Sequence, residues 1–232
     1  LERAADNVNV LGKFLVFLDT FSKGAQMLFG KNKIQTILLV LMIPAVAGLT
    51  GSFQGCAKPQ APAVTKPGGL GLGDQAYDFS LMDSSGHLVK MSDVKPGWYL
   101  VLILYRGSWC SACQGQLAGL KEDYPKFQAA HATIAAVSVD PVQDSADFNQ
   151  QWRFPFPLLS DPELKVIDAY GARLPNGHEG KDIAKPTTLI IDPNKMIRFK
   201  YIGKDPTDRP TDNEILFTIQ QIEKNDQAHA KS

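Results

Sequence analysis

Cys110 and Cys113, with Ser111 and Ala112 between them, are the residues in this sequence whose type and spacing most directly suggest chemistry. Two thiols three positions apart lie about one helical turn apart, close enough to close a small disulfide. If Cys110 sits where a helix begins, free backbone N–H groups and the helix dipole favour its thiolate and lower its pKa. A thiolate so placed attacks disulfides or peroxides. The same spacing could serve as half of a zinc site, or hold two inert buried thiols. The remaining cysteine, Cys56, is far upstream, and none of His87, His131, His178 or His229 has ligand spacing to the pair. The metal reading therefore lacks its second half.

The flanking elements suit a redox site. Residues 99–105 form an apolar run without alternation, which predicts a strand covered on both faces. Arg106, Gly107 and Ser108 end it. From Ser111 onward the spacing of Leu117, Leu120, Tyr124 and Phe127 predicts a helix, broken near Pro125 and ending near Ala130. Cys110 then falls at a strand-to-helix junction.

The chain has 232 residues, is 44% hydrophobic and 21% charged, and is formally neutral. That suits one domain plus extra segments. There is no basic excess that would mark a nucleic-acid binder. Three cysteines are too few for a disulfide-framework protein.

Residues 1–56 read as an N-terminal extension with an export segment. Lys31 and Lys33 precede an apolar stretch over 34–49, shorter than the roughly 20 residues of a spanning helix and closer to a signal core. Met27 is a sensible start for it. Gly55-Cys56 resembles a bacterial lipoprotein processing site in which the cysteine is lipidated, although Phe53 stands where leucine is preferred. An uncleaved anchor, and an ordinary cleaved signal or non-membrane segment, are the other readings. The expectation is a membrane-associated protein with its redox domain on the extracytoplasmic side. Residues 57–73 are rich in Pro, Gly and Ala and read as a tether. Residues 74–225 form the domain, and 226–232 a polar tail.

Within the domain, residues 78–82 and 87–90 read as short strands around a turn, and 133–139 as a second buried strand. Residues 145–152 read as a helix, 162–170 as a short helix capped by Asp161, and 174–184 as a glycine-bearing loop. Residues 187–191 and 196–202 form a hairpin across Asp192-Pro-Asn-Lys195. Ile215, Leu216, Ile219 and Ile222 stripe a closing helix over 211–224. Right-handed crossovers make the first buried strands parallel. The fold class is α/β: a thioredoxin-like mixed sheet flanked by helices, with an N-terminal strand extension.

Residues 75–222 resemble the alkyl hydroperoxide reductase / thiol-specific antioxidant (peroxiredoxin-like) family of the thioredoxin superfamily, in its Arg-Gly-x-Trp-Cys-x-x-Cys subgroup. The resemblance is carried by Asp78-Phe-Ser-Leu81, by Tyr105-Arg-Gly-Ser-Trp-Cys-Ser-Ala-Cys113, by Gln116-Leu117, by Val137-Ser-Val-Asp140, by 185–192, by Tyr201-Ile-Gly203 and by Asp208-Arg-Pro210. The chain departs from true peroxiredoxins, which resemble Pro-x-x-x-Thr-x-x-Cys. Gly107 occupies the threonine position, Ile103 the proline position, and Pro186 the position of an arginine beside the active cysteine. Trp109-Cys-x-x-Cys113 together with Pro186 matches thioredoxins instead. That likeness implies a cis-proline at 186 whose backbone pairs with a substrate chain.

The expected catalytic set is Cys110 as attacking thiolate, Cys113 as resolving thiol, Trp109 as a lid, Arg106 as a positive charge near the sulfur, and Pro186. Trp109 could equally be core packing, and Arg106 could simply reach solvent. Gln116 and Lys185 are weaker candidates, and Glu122 and Asp140 are available as a base. The expected function is a thiol-based oxidoreductase exchanging electrons with disulfides. A thiol-dependent peroxidase acting through Cys110 is the first alternative, and a non-catalytic thioredoxin-fold binding module the second. Neither enzymatic reading requires a metal or organic cofactor. Both require a protein thiol or disulfide as electron partner, and the second adds a peroxide substrate. The expected contact with the membrane is through the N-terminal segment or a lipid on Cys56.

Overall fold

The computed structural model describes residues 66–229. The central strand β3 (Tyr99–Leu104) is buried along its whole length. Its odd-numbered residues Tyr99, Val101 and Ile103 pack into one apolar cluster, while Leu100, Leu102 and Leu104 pack into another. Two covered faces are the reason the segment shows no polar alternation. On the first face lie α1 (Ser111–Glu122), α2 (Tyr124–Ala129), α3 (Val142–Trp152) and α5 (Asp212–His229), which contribute Leu117, Leu120, Phe127, Phe148, Ile215 and Ile219. The second face takes α4 (Lys165–Ala169), with Val166 and Ile167, and Tyr170 beyond its end.

The remaining strands are β1 (Ser80–Asp83), β2 (Leu88–Lys90), β4 (Ala132–Ser138), β5 (Leu158–Ser160), β8 (Thr187–Ile191) and β9 (Ile197–Ile202). They build a seven-stranded sheet in the order β2-β1-β5-β4-β3-β8-β9. β3, β4 and β5 run parallel, and β1, β8 and β9 add antiparallel pairs. This is the thioredoxin-like α/β arrangement with a leading hairpin.

Local chemistry sets the element ends. The helix after Cys110 breaks at Asp123, so Pro125 falls in the first turn of α2, where its missing N–H is harmless. Asp161 accepts the backbone N–H groups of Lys165, Val166 and Ile167 at 2.9, 2.9 and 3.0 Å. Asp161 thus holds the first turn, but the N-cap position is Leu164, in the left-handed region at φ 57°, and α4 begins at Lys165 rather than at the expected Pro162. Thr211 and Glu214 form a reciprocal capping box at the start of α5.

Two expectations are corrected. Residues 174–184 are not an open loop. They form most of an antiparallel hairpin, β6 (Arg173–His178) and β7 (Lys181–Ala184), a two-stranded sheet of its own. Glu179 and Gly180 both have positive φ, 48° and 73°, as a tight two-residue hairpin turn requires. Arg173 ties the hairpin down by pairing with Asp182 at 2.8 Å and with Asp168. The composition reads as loop because Pro175, Asn176 and Gly177 lie inside a strand with a register shift.

The expected membrane-associated placement is also overturned. Among the described residues no helix is long and apolar enough to cross a membrane. The 18-residue α5 buries only Ile215, Leu216, Ile219 and Ile222 and carries Asp212, Glu214 and Asp226. It has one apolar stripe, and its charged residues fit water rather than lipid. Residues 34–49 and Cys56, on which the membrane reading rests, lie outside the described residues. From Lys66 on, the tether runs against the domain: Leu70 N–H donates to the Ala169 carbonyl at 2.8 Å.

Candidate active site

Cys110 caps the N-terminus of α1, in extended geometry at φ −82° and ψ 107°. Its sulfur accepts the backbone N–H of Cys113 at 3.3 Å. The two cysteines form a disulfide with Cα atoms 5.2 Å apart. Cys110 keeps 4% of its surface exposed, whereas Cys113 keeps none. Both are buried, and Cys110 is the one of the pair that keeps any exposure.

The loop from β3 to α1 is held by its neighbours. Ser108 N–H donates to Asp140 Oδ2 at 2.7 Å, and the Gln114 side chain donates to the Ser108 carbonyl at 2.7 Å. Gly107 has φ 155°, and a Cβ there would collide with the indole Nε1 of Trp109 and stand 3.0 Å from Asp140 Oδ1. Glycine is needed for this close approach. Burial raises the Asp140 carboxyl above the ordinary carboxylate range, and the Ser108 N–H opposes that shift. The other carboxylate considered as a base, Glu122, is exposed at the far end of α1, roughly 17 Å along the helix from Ser111.

Trp109 is 40% exposed and stacks on His178, with ring centroids 3.5 Å apart and planes 12° apart. The Arg106 guanidinium lies 4.9 Å from the centroid of the same indole and donates to the Gly177 carbonyl at 3.3 Å. Trp109 is thus held between the hairpin and Arg106 rather than in the core. Arg209 lies on the Cys113 side: Nη2 approaches Cys113 Sγ at 3.9 Å, and Nη1 donates to Gln116 Oε1 at 2.7 Å. Burial and the neighbouring Arg106 both lower the Arg209 pKa from its ordinary value.

Four of the five expected residues, Cys110, Cys113, Trp109 and Arg106, therefore converge, and Gln116 joins them through Arg209. Pro186 is placed by register: Thr187 is opposite Leu104, so Pro186 lies at the same end of the sheet as the cysteines. The expected cis bond is corrected, since no peptide among the described residues is cis. Trans is the intrinsically preferred state. The neighbouring backbone is already engaged, with Lys185 N–H on the Ala172 carbonyl and the Pro186 carbonyl accepting from Gly203, both at 2.7 Å. The Lys185 carbonyl accepts from the Thr187 hydroxyl at 3.0 Å. Among the described residues no group of His, Cys, Asp and Glu is arranged to hold a metal.

Sequence reading missed His178 and Arg209 as neighbours of the pair. His178 was visible only as a histidine without ligand spacing. Arg209 stood in the Asp208-Arg-Pro210 stretch of the resemblance, and that was the one signal available.

A Cys-x-x-Cys disulfide at a strand-to-helix junction of a thioredoxin-like sheet defines a thiol-based redox protein. Residues 72–200 match the AhpC/TSA family, and the chain belongs to that family. It is similar to alkyl hydroperoxide reductase E of Mycobacterium tuberculosis, 32% identical over 132 residues that cover 56% of this chain and 84% of that one. It is also similar to the thiol-disulfide oxidoreductase ResA of Geobacillus thermodenitrificans, 27% identical over 165 residues, 71% of this chain and 83% of that one. Peroxiredoxin bcp1 of Schizosaccharomyces pombe is 31% identical over 46% of this chain, a match spanning 54% of the relative's length. Among solved structures, peroxidoxin BcpB from Mycobacterium tuberculosis superposes with a TM-score of 0.60 at 27% identity, covering 66% of this chain and 98% of that one. The protein is a thiol oxidoreductase related to peroxiredoxins and to ResA.

Proposed function

We propose that the protein exchanges electrons with disulfides through Cys110 and Cys113. The reduced Cys110 thiolate attacks one sulfur of a substrate disulfide, forms a mixed disulfide and releases the other sulfur as a thiolate. Cys113 then attacks Cys110 Sγ, closes the Cys110–Cys113 disulfide and releases the second substrate thiolate. Two electrons pass from the dithiol to the substrate, and an external thiol partner restores the dithiol. The observation that carries this reading is the unequal burial of the pair at the start of α1. The likeness to ResA, named a thiol-disulfide oxidoreductase, supports it. Trp109, Arg106 and Pro186 are assigned to the surroundings of the reacting sulfur.

A peroxidase is the second reading, favoured by the likeness to alkyl hydroperoxide reductase E. Cys110 would then take an oxygen from a hydroperoxide, releasing an alcohol or water, and its sulfenic acid would condense with Cys113 and release water. Gly107, Ile103 and Pro186 at the threonine, proline and arginine positions weigh against it.

The two are separated by mixing the reduced Cys113→Ser full chain with insulin and, separately, with hydrogen peroxide, and weighing the product. A trapped mixed disulfide with insulin, with slow peroxide oxidation, is the expected outcome. Rapid sulfenic acid formation without the insulin adduct would replace exchange by peroxidase chemistry.

A further inference from the structure

A cleft of about 610 Å³ opens beside Trp109, lined on one side by Asp140, Pro141 and Asp144 and on another by residues of the β6–β7 hairpin. It is far larger than a peroxide needs, since a water occupies only about 30 Å³. Its size falls within the usual range of roughly 300–1,000 Å³ for ligand pockets. Pro186 is not among its lining residues.

Two properties of the lining indicate what fits. The first is an open strand edge. Among the described residues β7 pairs only with β6, which leaves its other edge without a strand partner, and Lys181, Asp182 and Ile183 of β7 line the cleft. An extended chain can add to such an edge by main-chain hydrogen bonds. The second is charge. The lining carries four carboxylates, Asp140, Asp144, Glu179 and Asp182, against one lysine, Lys181. Asp182 is engaged by Arg173 and Asp140 by Ser108. Asp144 and Glu179 are exposed and come from two different elements, α3 and the hairpin turn. Asp144 has no ion-pair partner among the described residues, and Glu179 reaches only His178, at 3.9 Å.

Resting on the exchange reading, we propose that this cleft docks an extended segment of a disulfide-bearing protein with Lys or Arg flanking its cysteine. The segment lies along β7, its cationic side chains face Asp144 and Glu179, and its cysteine is brought to Cys110 past Trp109. Arg209 lies against Cys113 Sγ and Arg106 over the Trp109 ring, so the basic residues belong to the part of the partner lying over the cleft.

The test uses the reduced full chain and three disulfides: a peptide disulfide flanked by lysines, the same peptide with glutamates, and the small neutral 2-hydroxyethyl disulfide. At low salt the lysine peptide reacts about tenfold faster than the glutamate peptide, and added salt closes the gap. A chain carrying Asp144→Lys and Glu179→Lys loses that preference but keeps its rate with the neutral disulfide. Both positions are exposed, and the neutral rate shows that the variant is folded. Equal peptide rates in the unaltered chain, or a preference that survives the double substitution, would overturn the docking site. Failure to reduce the neutral disulfide at all would remove the exchange reading, and the docking proposal with it.

Discussion

Arg209 and Cys113 are 96 positions apart, yet the guanidinium approaches the buried sulfur at 3.9 Å. A cation beside a thiol favours the thiolate. The Cys113 sulfur, the fully buried one of the pair, is therefore held in an electropositive setting. In a Cys56→Ser, Cys110→Ser background, where Cys113 is the remaining thiol, Arg209→Ala is expected to raise the Cys113 pKa. Arg209→Lys should recover part of the shift. The measurement is thiolate ultraviolet absorbance against pH, and an unmoved titration would show that Arg209 acts only through Gln116 and packing. Residue chemistry of this kind was half legible. The thiols, Trp109 and Arg106 stand together in the chain, and their types alone suggest redox chemistry. Arg209 and His178 are remote in sequence, and nothing local specifies which side chains meet a given sulfur.

At the scale of elements, the junction between α1 and α5 carries an electrostatic penalty. Asp212, in the first turn of α5, lies against Gly119 of α1, where a Cβ would stand 2.7 Å from Asp212 Oδ2. Burial first, and then Asp123, push its carboxyl up to about 6, although Lys126 opposes the shift. A raised folded-state pKa means that the folded chain binds the proton more tightly than the unfolded one. The penalty is therefore absent below about pH 4, grows as the pH rises, and is complete above about pH 6. Asp212→Asn should stabilise the domain at pH 7.5 by about 1–2 kcal/mol, a figure discounted because the carboxyl is half exposed. The gain should vanish at pH 4, and urea unfolding at the two pH values checks it. Helix and strand existence was legible here because apolar spacing dictates it: the stripe Ile215, Leu216, Ile219, Ile222 is the buried face of α5. The β6–β7 hairpin was not, because its register depends on the Arg173 pairs and on the contact with Trp109 rather than on its own apolar pattern.

For the molecule as a whole, β3 joins two cores, and the site hangs from its C-terminal end. Leu102 is fully buried, pairing in register with Ala135 of β4 and Leu189 of β8. Leu102→Ala should cost about 3 kcal/mol through lost burial and the cavity left behind. For a domain of this size that lowers Tm by roughly 10 °C in calorimetry. A loss below about 1 kcal/mol would mean that the two cores are less coupled through β3 than its burial implies. By itself the sequence determined the thiol pair at a strand-to-helix junction, the doubly buried central strand, the parallel crossovers and the family. The first three follow from residue type and short-range periodicity, which the chain carries locally, and the family from the resemblance of its motifs. Only the tertiary structure decided that Trp109 meets His178, that Arg209 reaches Cys113, that the bond before Pro186 is trans and that an acidic cleft opens beside Trp109. Each of these depends on neighbouring groups that the fold brings together, and local patterning does not specify them.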